Sequence, residues 1–140
     1  MTLDLAAANH IVTATIEAAR AAGHKPMAVV VLDESGHLKS AQRDDGASMF
    51  RIDIATGKAW AAIGMGASSR ELAERAKGNP SFFVTLAATA HGRFLPQTGA
   101  VLIRDDAGTI VGAVGASGGT GDQDEAVCIA GVVAAGFQHG

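Results

Sequence analysis

The order of predicted elements indicates an α+β fold in which helices pack on an antiparallel sheet. Two apolar segments are each interrupted by an Asp-x-x-Gly turn, at residues 33–36 and 105–108, and each is expected to fold back as a hairpin. Predicted helices precede, separate and follow the two hairpins. Tight hairpins build antiparallel sheets, and the chain lacks the strand–helix alternation that a doubly wound fold requires.

The N-terminal segment predicts a helix over Thr2–Ala22. Thr2 can cap this helix, and Asp4 suits its positive end. Gly23 ends it. Apolar side chains recur at helical spacing along one stripe: Leu5, Ala8, Val12, Ile16 and Ala19. His10 lies well away from this stripe, so we expect it to face solvent, the edge of a pocket or another subunit.

The first hairpin is predicted from an unbroken apolar run. Met27–Leu32 is rich in β-branched residues, which is typical of a strand buried on both faces. The turn at residues 33–36 leads to a return strand over His37–Arg43, and Gly36 can adopt positive φ there.

The central part of the chain predicts two helices with a short helix or turn between them. Ser48 can cap the first, over Met49–Ile63. A short charged helix or turn over Ser69–Lys77 and a helix over Ser81–Ala90 follow. The segment His91–Gly99 is irregular and is expected to be a loop that can hold a short edge strand.

The second hairpin and a last helix complete the chain. Ala100–Arg104 and Thr109–Ala116 predict two strands around the turn at residues 105–108. A glycine-rich link over residues 118–121 leads to a helix over Asp122–Phe137. Thr120 and Gln123 have the spacing of a capping box.

Composition excludes several classes of protein. The 140 residues, 48% hydrophobic and 18% charged, predict one folded domain over residues 1–140 rather than a disordered chain. The formal net charge of −3 disfavours nucleic-acid binding. The N-terminus lacks a basic region, and no apolar run approaches membrane-span length, so a cytoplasmic protein is expected. Abundant glycine and alanine suit subunit interfaces and are compatible with a homo-oligomer.

The glycine-rich link is the first candidate site. Gly118 and Gly119 could aim backbone N–H groups at an anion ahead of the last helix. However, Asp122, Asp124 and Glu125 crowd the same helix start and would repel an anion. We favour a structural cap over a ligand loop.

Charged residues of the central region give two further candidates. Arg43 could bind a carboxylate, and neighbouring Asp45 could act as a general base. The alternative is a turn whose aspartates accept backbone hydrogen bonds, which we favour from local features. Lys58 lies among alanines and could be a buried base or an anion clamp, although reaching out to solvent is favoured.

Histidine and cysteine give weaker signals. No two of the five histidines have the i,i+4 spacing of a metal site. The single cysteine, Cys128, excludes an intrachain disulfide, and it is predicted to be a small buried apolar residue rather than a nucleophile.

Taken together, ordered motifs over nearly the whole chain resemble the GlcG/HbpS-like, or haem-degrading, family. The matching segments are the hairpin at residues 29–38, Arg43-Asp44-Asp45-Gly46-Ala47, Ile52–Ala55 with Lys58-Ala59, Ile110–Gly119 and Asp122–Glu125. The usual proline before the third strand is absent from Thr98-Gly99-Ala100-Val101. Each motif is weak alone, and their order carries the resemblance.

The resemblance implies a profilin-like fold with a five-stranded antiparallel sheet, and assembly into dimers or octamers. The family includes haem-binding sensors and the C-terminal module of PduO-type corrinoid adenosyltransferases. Haem is therefore the favoured ligand, for binding or degradation. His10 is then the candidate axial ligand of the iron, Arg43 or Lys58 would meet the propionates, and phenylalanines 82, 83 and 94 would form an apolar wall.

Two alternatives remain open at this point. The chain could be a cofactor-free isomerase, hydratase or hydrolase acting on a small carboxylate or aromatic compound. Arg43 would then hold the substrate, and Asp45, Asp124 or Glu125 would move a proton. The chain could also be a non-catalytic accessory protein.

Overall fold

The computed structural model describes residues 2–140 and has an α+β architecture of helices on both faces of a sheet. The helices are α1 (Leu5–Ala21), α2 (Phe50–Met65), α3 (Ser69–Gly78), α4 (Pro80–Thr89) and α5 (Gly121–Ala134). The strands are β1 (Ala28–Asp33), β2 (Leu38–Arg43), β3 (Ala100–Arg104), β4 (Ile110–Ser117) and β5 (Gln138–His139).

The sheet has the strand order β2-β1-β4-β3-β5, and all its neighbouring strands are antiparallel. Both predicted hairpins are confirmed, and they meet where β1 pairs with β4. In this register Ala28 lies opposite both Arg43 of β2 and Ser117 of β4. The start of β1 and the ends of β2 and β4 therefore lie at one end of the sheet.

Apolar side chains cover both faces of the sheet. Val29 and Val31 pack with α1 and α5 on one face, whereas Val30 and Leu32 pack with α2 on the other. This alternation confirms the prediction that the first strand is buried on both faces. A third apolar cluster lies between α2, α3 and α4.

Small residues bring the helices close to their neighbours. A Cβ atom on Gly115 of β4 would lie 2.3 Å from the carbonyl oxygen of Ala55 in α2. A Cβ atom on Gly131 of α5 would lie 2.0 Å from Oγ1 of Thr15 in α1. The abundant small residues are thus used within the protomer, where they set the distance between layers.

Two predicted helix caps were wrong. Asp4 rather than Thr2 caps α1, and its carboxylate accepts from the backbone N–H of Ala7 at 2.8 Å. Met49 occupies the N-cap position of α2 without a side-chain hydrogen bond, so Ser48 does not cap it.

The C-terminal end also differs from the prediction. The last helix stops at Ala134, because Gly136 adopts a φ of +84° and turns the chain back toward the sheet. Gln138 and His139 then pair with Arg104 and Ile103 as β5. The fifth strand is therefore C-terminal, and residues 91–99 contain no strand.

Candidate functional site

Two polar cavities lie at the end of the sheet where β1 begins and β4 ends. The first, of about 350 Å³, lies between α2, the start of α5 and residues 97–98. The second, of about 460 Å³, lies between the glycine-rich link and the segment that follows α1. Arg51, Gly119 and Thr120 line both cavities, which are therefore neighbours separated by this shared wall.

A buried ion pair forms one wall of the first cavity. The Nζ atom of Lys58 lies 3.0 Å from Oδ2 of Asp124 and donates also to the carbonyl oxygen of Ala116 at 3.1 Å. The two side chains are only 7% and 2% exposed. The prediction that Lys58 reaches solvent was wrong, because α5 delivers a carboxylate to it inside the fold.

Gly99 makes room for this pair. Its φ is +139°, and a Cβ atom there would lie 2.6 Å from Nζ of Lys58. Both the backbone conformation and the space therefore require glycine. The residue before β3 thus helps to position the lysine.

The glycine-rich link acts as a structural cap. The backbone N–H of Gly119 donates to Oδ1 of Asp124 at 2.9 Å. Thr120 and Gln123 form the reciprocal bonds of the predicted capping box, which is confirmed. The N–H groups of Gly119, Thr120 and Gln123 are consequently satisfied within the link and helix.

Arg51 is the most prominent cavity residue that the sequence analysis missed. It lies half-buried in the first turn of α2, and its Nη1 atom donates to the Ser117 hydroxyl at 3.2 Å. Within residues 2–140 it has no ion-pair partner. A cation in the first turn opposes the helix dipole. This unfavourable position was the local signal that could have singled out Arg51.

Arg43 ends β2 and Asp45 lies in the exposed turn that follows, and neither lines the cavities. The Arg43 guanidinium donates to the carbonyl oxygen of Ala47 at 2.6 Å, and the backbone N–H of Asp45 donates to Asp44. Asp44 in turn accepts two hydrogen bonds from Arg20, which lower the pKa of the Asp44 carboxyl. The polar groups of this segment thus bond mainly to the turn itself.

Glu125 points to a different neighbour from Asp124. Both of its carboxylate oxygens accept from Nε of Arg70, at 3.1 and 3.0 Å. Asp122 also pairs with Arg70, and the hydrogen bonds that Arg70 donates to Glu125 and Asp122 raise the pKa of its guanidinium. The structure therefore separates the three acids of this turn: Asp124 is buried against α2, whereas Asp122 and Glu125 bind α3.

His10 lies exposed on the outer side of α1, opposite the residues that this helix buries. Among the described residues, its imidazole has no hydrogen bond or ion pair with another side chain. Phe83 and Phe94 belong to the cluster between α2, α3 and α4, on the other face of the sheet. The structure therefore does not bring these phenylalanines, or Lys58, to His10 within one protomer.

Cys128 lies inside α5 and is fully buried. Its thiol points to the carbonyl oxygen of Gly99 at 3.6 Å, and burial raises its pKa well above the usual range. A thiol that is buried and protonated is a poor nucleophile. The prediction of a small buried residue is confirmed.

Residues 2–140 hold no cluster of three histidine, cysteine, aspartate or glutamate side chains suited to binding a metal ion. Over the same residues, every helix is too short or too polar to cross a lipid bilayer.

A family model described as haem-degrading protein HbpS-like matches residues 3–133. No functionally curated protein matches the chain.

Several solved structures share the fold. A Streptomyces reticuli HbpS double mutant is 30% identical with a TM-score of 0.81, over 95% of this chain and 86% of its own. A Klebsiella pneumoniae protein named ORFY, from the DUF336 family, is 27% identical with a TM-score of 0.84, over 94% of this chain and 88% of its own. A PduOC–haem complex is 23% identical with a TM-score of 0.87, over 99% of this chain and 98% of its own, and at that identity it shows the fold alone.

Proposed function

The chain belongs to the HbpS-like family, and on that premise we propose that it binds haem through the imidazole of His10. Histidine is a common axial ligand of haem iron. A bound haem supplies an iron centre for redox or ligand chemistry. Degradation of haem, which the family description names, would require this binding first.

The observation that carries the proposal is the environment of His10. The imidazole lies on a regular helix and is exposed, without a side-chain partner among residues 2–140. Ala6 and Ala14 lie one turn away in either direction on the same side of α1. Small neighbours leave space for a flat macrocycle to approach the ring.

His10 thus has the exposure that an iron ligand would need, whereas the other predicted contacts do not lie beside it. Lys58 is paired with Asp124, and α1 extends about 16 Å from His10 to its C-terminal end, beyond which the cavities begin. We propose that a second copy of the chain covers the outer side of α1 and the haem. A homo-oligomer, dimer or octamer, in the cytoplasm would provide that cover.

The test is a haemin titration of the purified protein, followed in the Soret band. We expect a sharp, saturable shift at about one haem per protomer, and its loss in His10→Ala. His37→Ala is the matched control, because His37 is also exposed but lies in the first hairpin. Saturation that His10→Ala leaves unchanged would remove His10 as ligand, and a non-saturating response would contradict haem binding.

A further inference from the structure

We propose that the two adjoining cavities bind a small organic anion, whose carboxylate or phosphate group is bonded by Arg51. This site is separate from the proposed haem site on α1. A propionate of a haem held by His10 would not reach it, because the cavities lie beyond the far end of that helix.

The charges around the cavities favour an anion. His24, Lys25 and Arg51 line the second cavity, and no acidic residue does so in the part of the chain that the structure describes. The two acids of the first cavity are paired, Asp124 with Lys58 and Asp122 with Arg70. The positive charge of Arg51 is therefore the one at the shared wall that no carboxylate balances.

This positive charge comes from side chains rather than from the start of α5. The N–H groups of Gly119, Thr120 and Gln123 already donate within the link and helix. Recognition therefore does not rest on these three N–H groups, and Arg51 is the group on which it depends.

Arg51 is positioned to bind a planar anionic group. Of its five N–H donors, one bonds to the hydroxyl of buried Ser117, which fixes the side chain at the wall of both cavities. The remaining donors are free to form the paired hydrogen bonds that carboxylates and phosphates accept from arginine. Half-burial strengthens such bonds relative to bulk water.

The other lining groups indicate the class of ligand. Gln97, Thr98 and Thr120 supply amide and hydroxyl groups around the first cavity. These groups suit the hydroxyls of a small molecule, and about 350 Å³ lies at the lower end of the volumes typical of ligand cavities. The geometry points to a small hydroxylated carboxylate or phosphate ester.

The experiment is a titration of the ¹⁵N-labelled full chain, followed by amide shifts of Gly118, Gly119 and Thr120. The probes are malate, glycerol 3-phosphate and uncharged glycerol. We expect saturable shifts with malate or glycerol 3-phosphate, and the stronger of the two identifies the anionic group. Arg51→Gln should weaken binding about tenfold or more, because a charge-assisted pair is lost.

Arg75→Gln is the matched control, because Arg75 is a surface arginine of α3 paired with Glu71. It should leave binding unchanged, and so should His10→Ala, which separates this site from the haem proposal. If Arg51→Gln does not fold, Arg51→Lys keeps the charge without the paired donors and should still weaken binding several-fold. Three results would each overturn the proposal: no saturable shift with either anion, equal binding of glycerol, or unchanged affinity in the Arg51 variants.

Discussion

Two ionic clusters lie on opposite sides of the start of α5, and they differ in their access to water. Asp124 reaches inward to Lys58, with both side chains less than a tenth exposed. Asp122 and Glu125 reach outward to Arg70, whose side chain is 49% exposed. The same acidic stretch therefore supplies a buried contact with α2 and a hydrated contact with α3.

This difference shows that the tertiary neighbours of a charged side chain, rather than its local sequence, determine whether it is buried or hydrated. Water screens the outer cluster, so its contribution to stability is small. The inner pair has lost its hydration and depends on its own bonds: Lys58 donates to Ala116, and Asp124 accepts from Gly119. Removing one member of the inner pair should therefore lower the free energy of unfolding far more than removing one member of the outer cluster.

The largest effect is expected for Asp124→Leu. This change leaves the Lys58 ammonium buried without its counter-ion, which costs about 3–5 kcal/mol of unfolding free energy. Urea denaturation followed by far-UV circular dichroism measures it. The double variant Lys58→Met/Asp124→Leu should recover most of the loss, because it also removes the unpaired charge. A loss in Asp124→Leu no larger than that of a surface variant would contradict the contrast between the clusters.

A smaller effect is expected for Arg70→Gln. The variant loses ion pairs that water and salt already screen, so the urea midpoint should fall slightly. In 1 M NaCl, where screening acts over about 3 Å, the variant and the parent should become nearly equal. The cost of Asp124→Leu should persist in the same salt. Equal salt dependence of the two variants would show that both clusters are hydrated.

The smallest effect on stability is expected for a third ion pair, Arg20 with Asp44. Its contribution depends on pH. Hydrogen bonds from Arg20 hold the pKa of Asp44 below its usual value. The pair therefore stabilises the fold above the unfolded pKa of about 3.9, and this contribution is lost as pH falls through the lower folded pKa. An NMR titration of the Asp44 carboxyl should show the low pKa. Arg20→Gln should raise it, and an unchanged pKa would exclude Arg20 as the cause.

Most of the fold could be predicted because the patterns that specify its hairpins and helix caps each lie within a short segment of sequence. The β-branched run before Asp33 and the two Asp-x-x-Gly turns identified both hairpins, and the Thr120–Gln123 spacing identified the cap of α5. β5 was missed because two residues carry no strand pattern, and their pairing with β3 depends on the turn at Gly136.

The site was harder to predict because its members come from distant segments. Lys58 and Asp124 are 66 residues apart, and so are Arg51 and Ser117. No spacing rule joins such pairs, so the sequence could not show which lysine is buried. It also directed attention to Arg43, whose neighbours match a family motif, rather than to Arg51.

The burial of Cys128 has a practical consequence. It is the only thiol in the chain, and it contacts the carbonyl oxygen of Gly99, the same glycine that makes room for Lys58. An alkylating reagent can reach it only when the packing around α5 opens. The rate of its modification therefore reports how readily this packing opens, without any engineered residue.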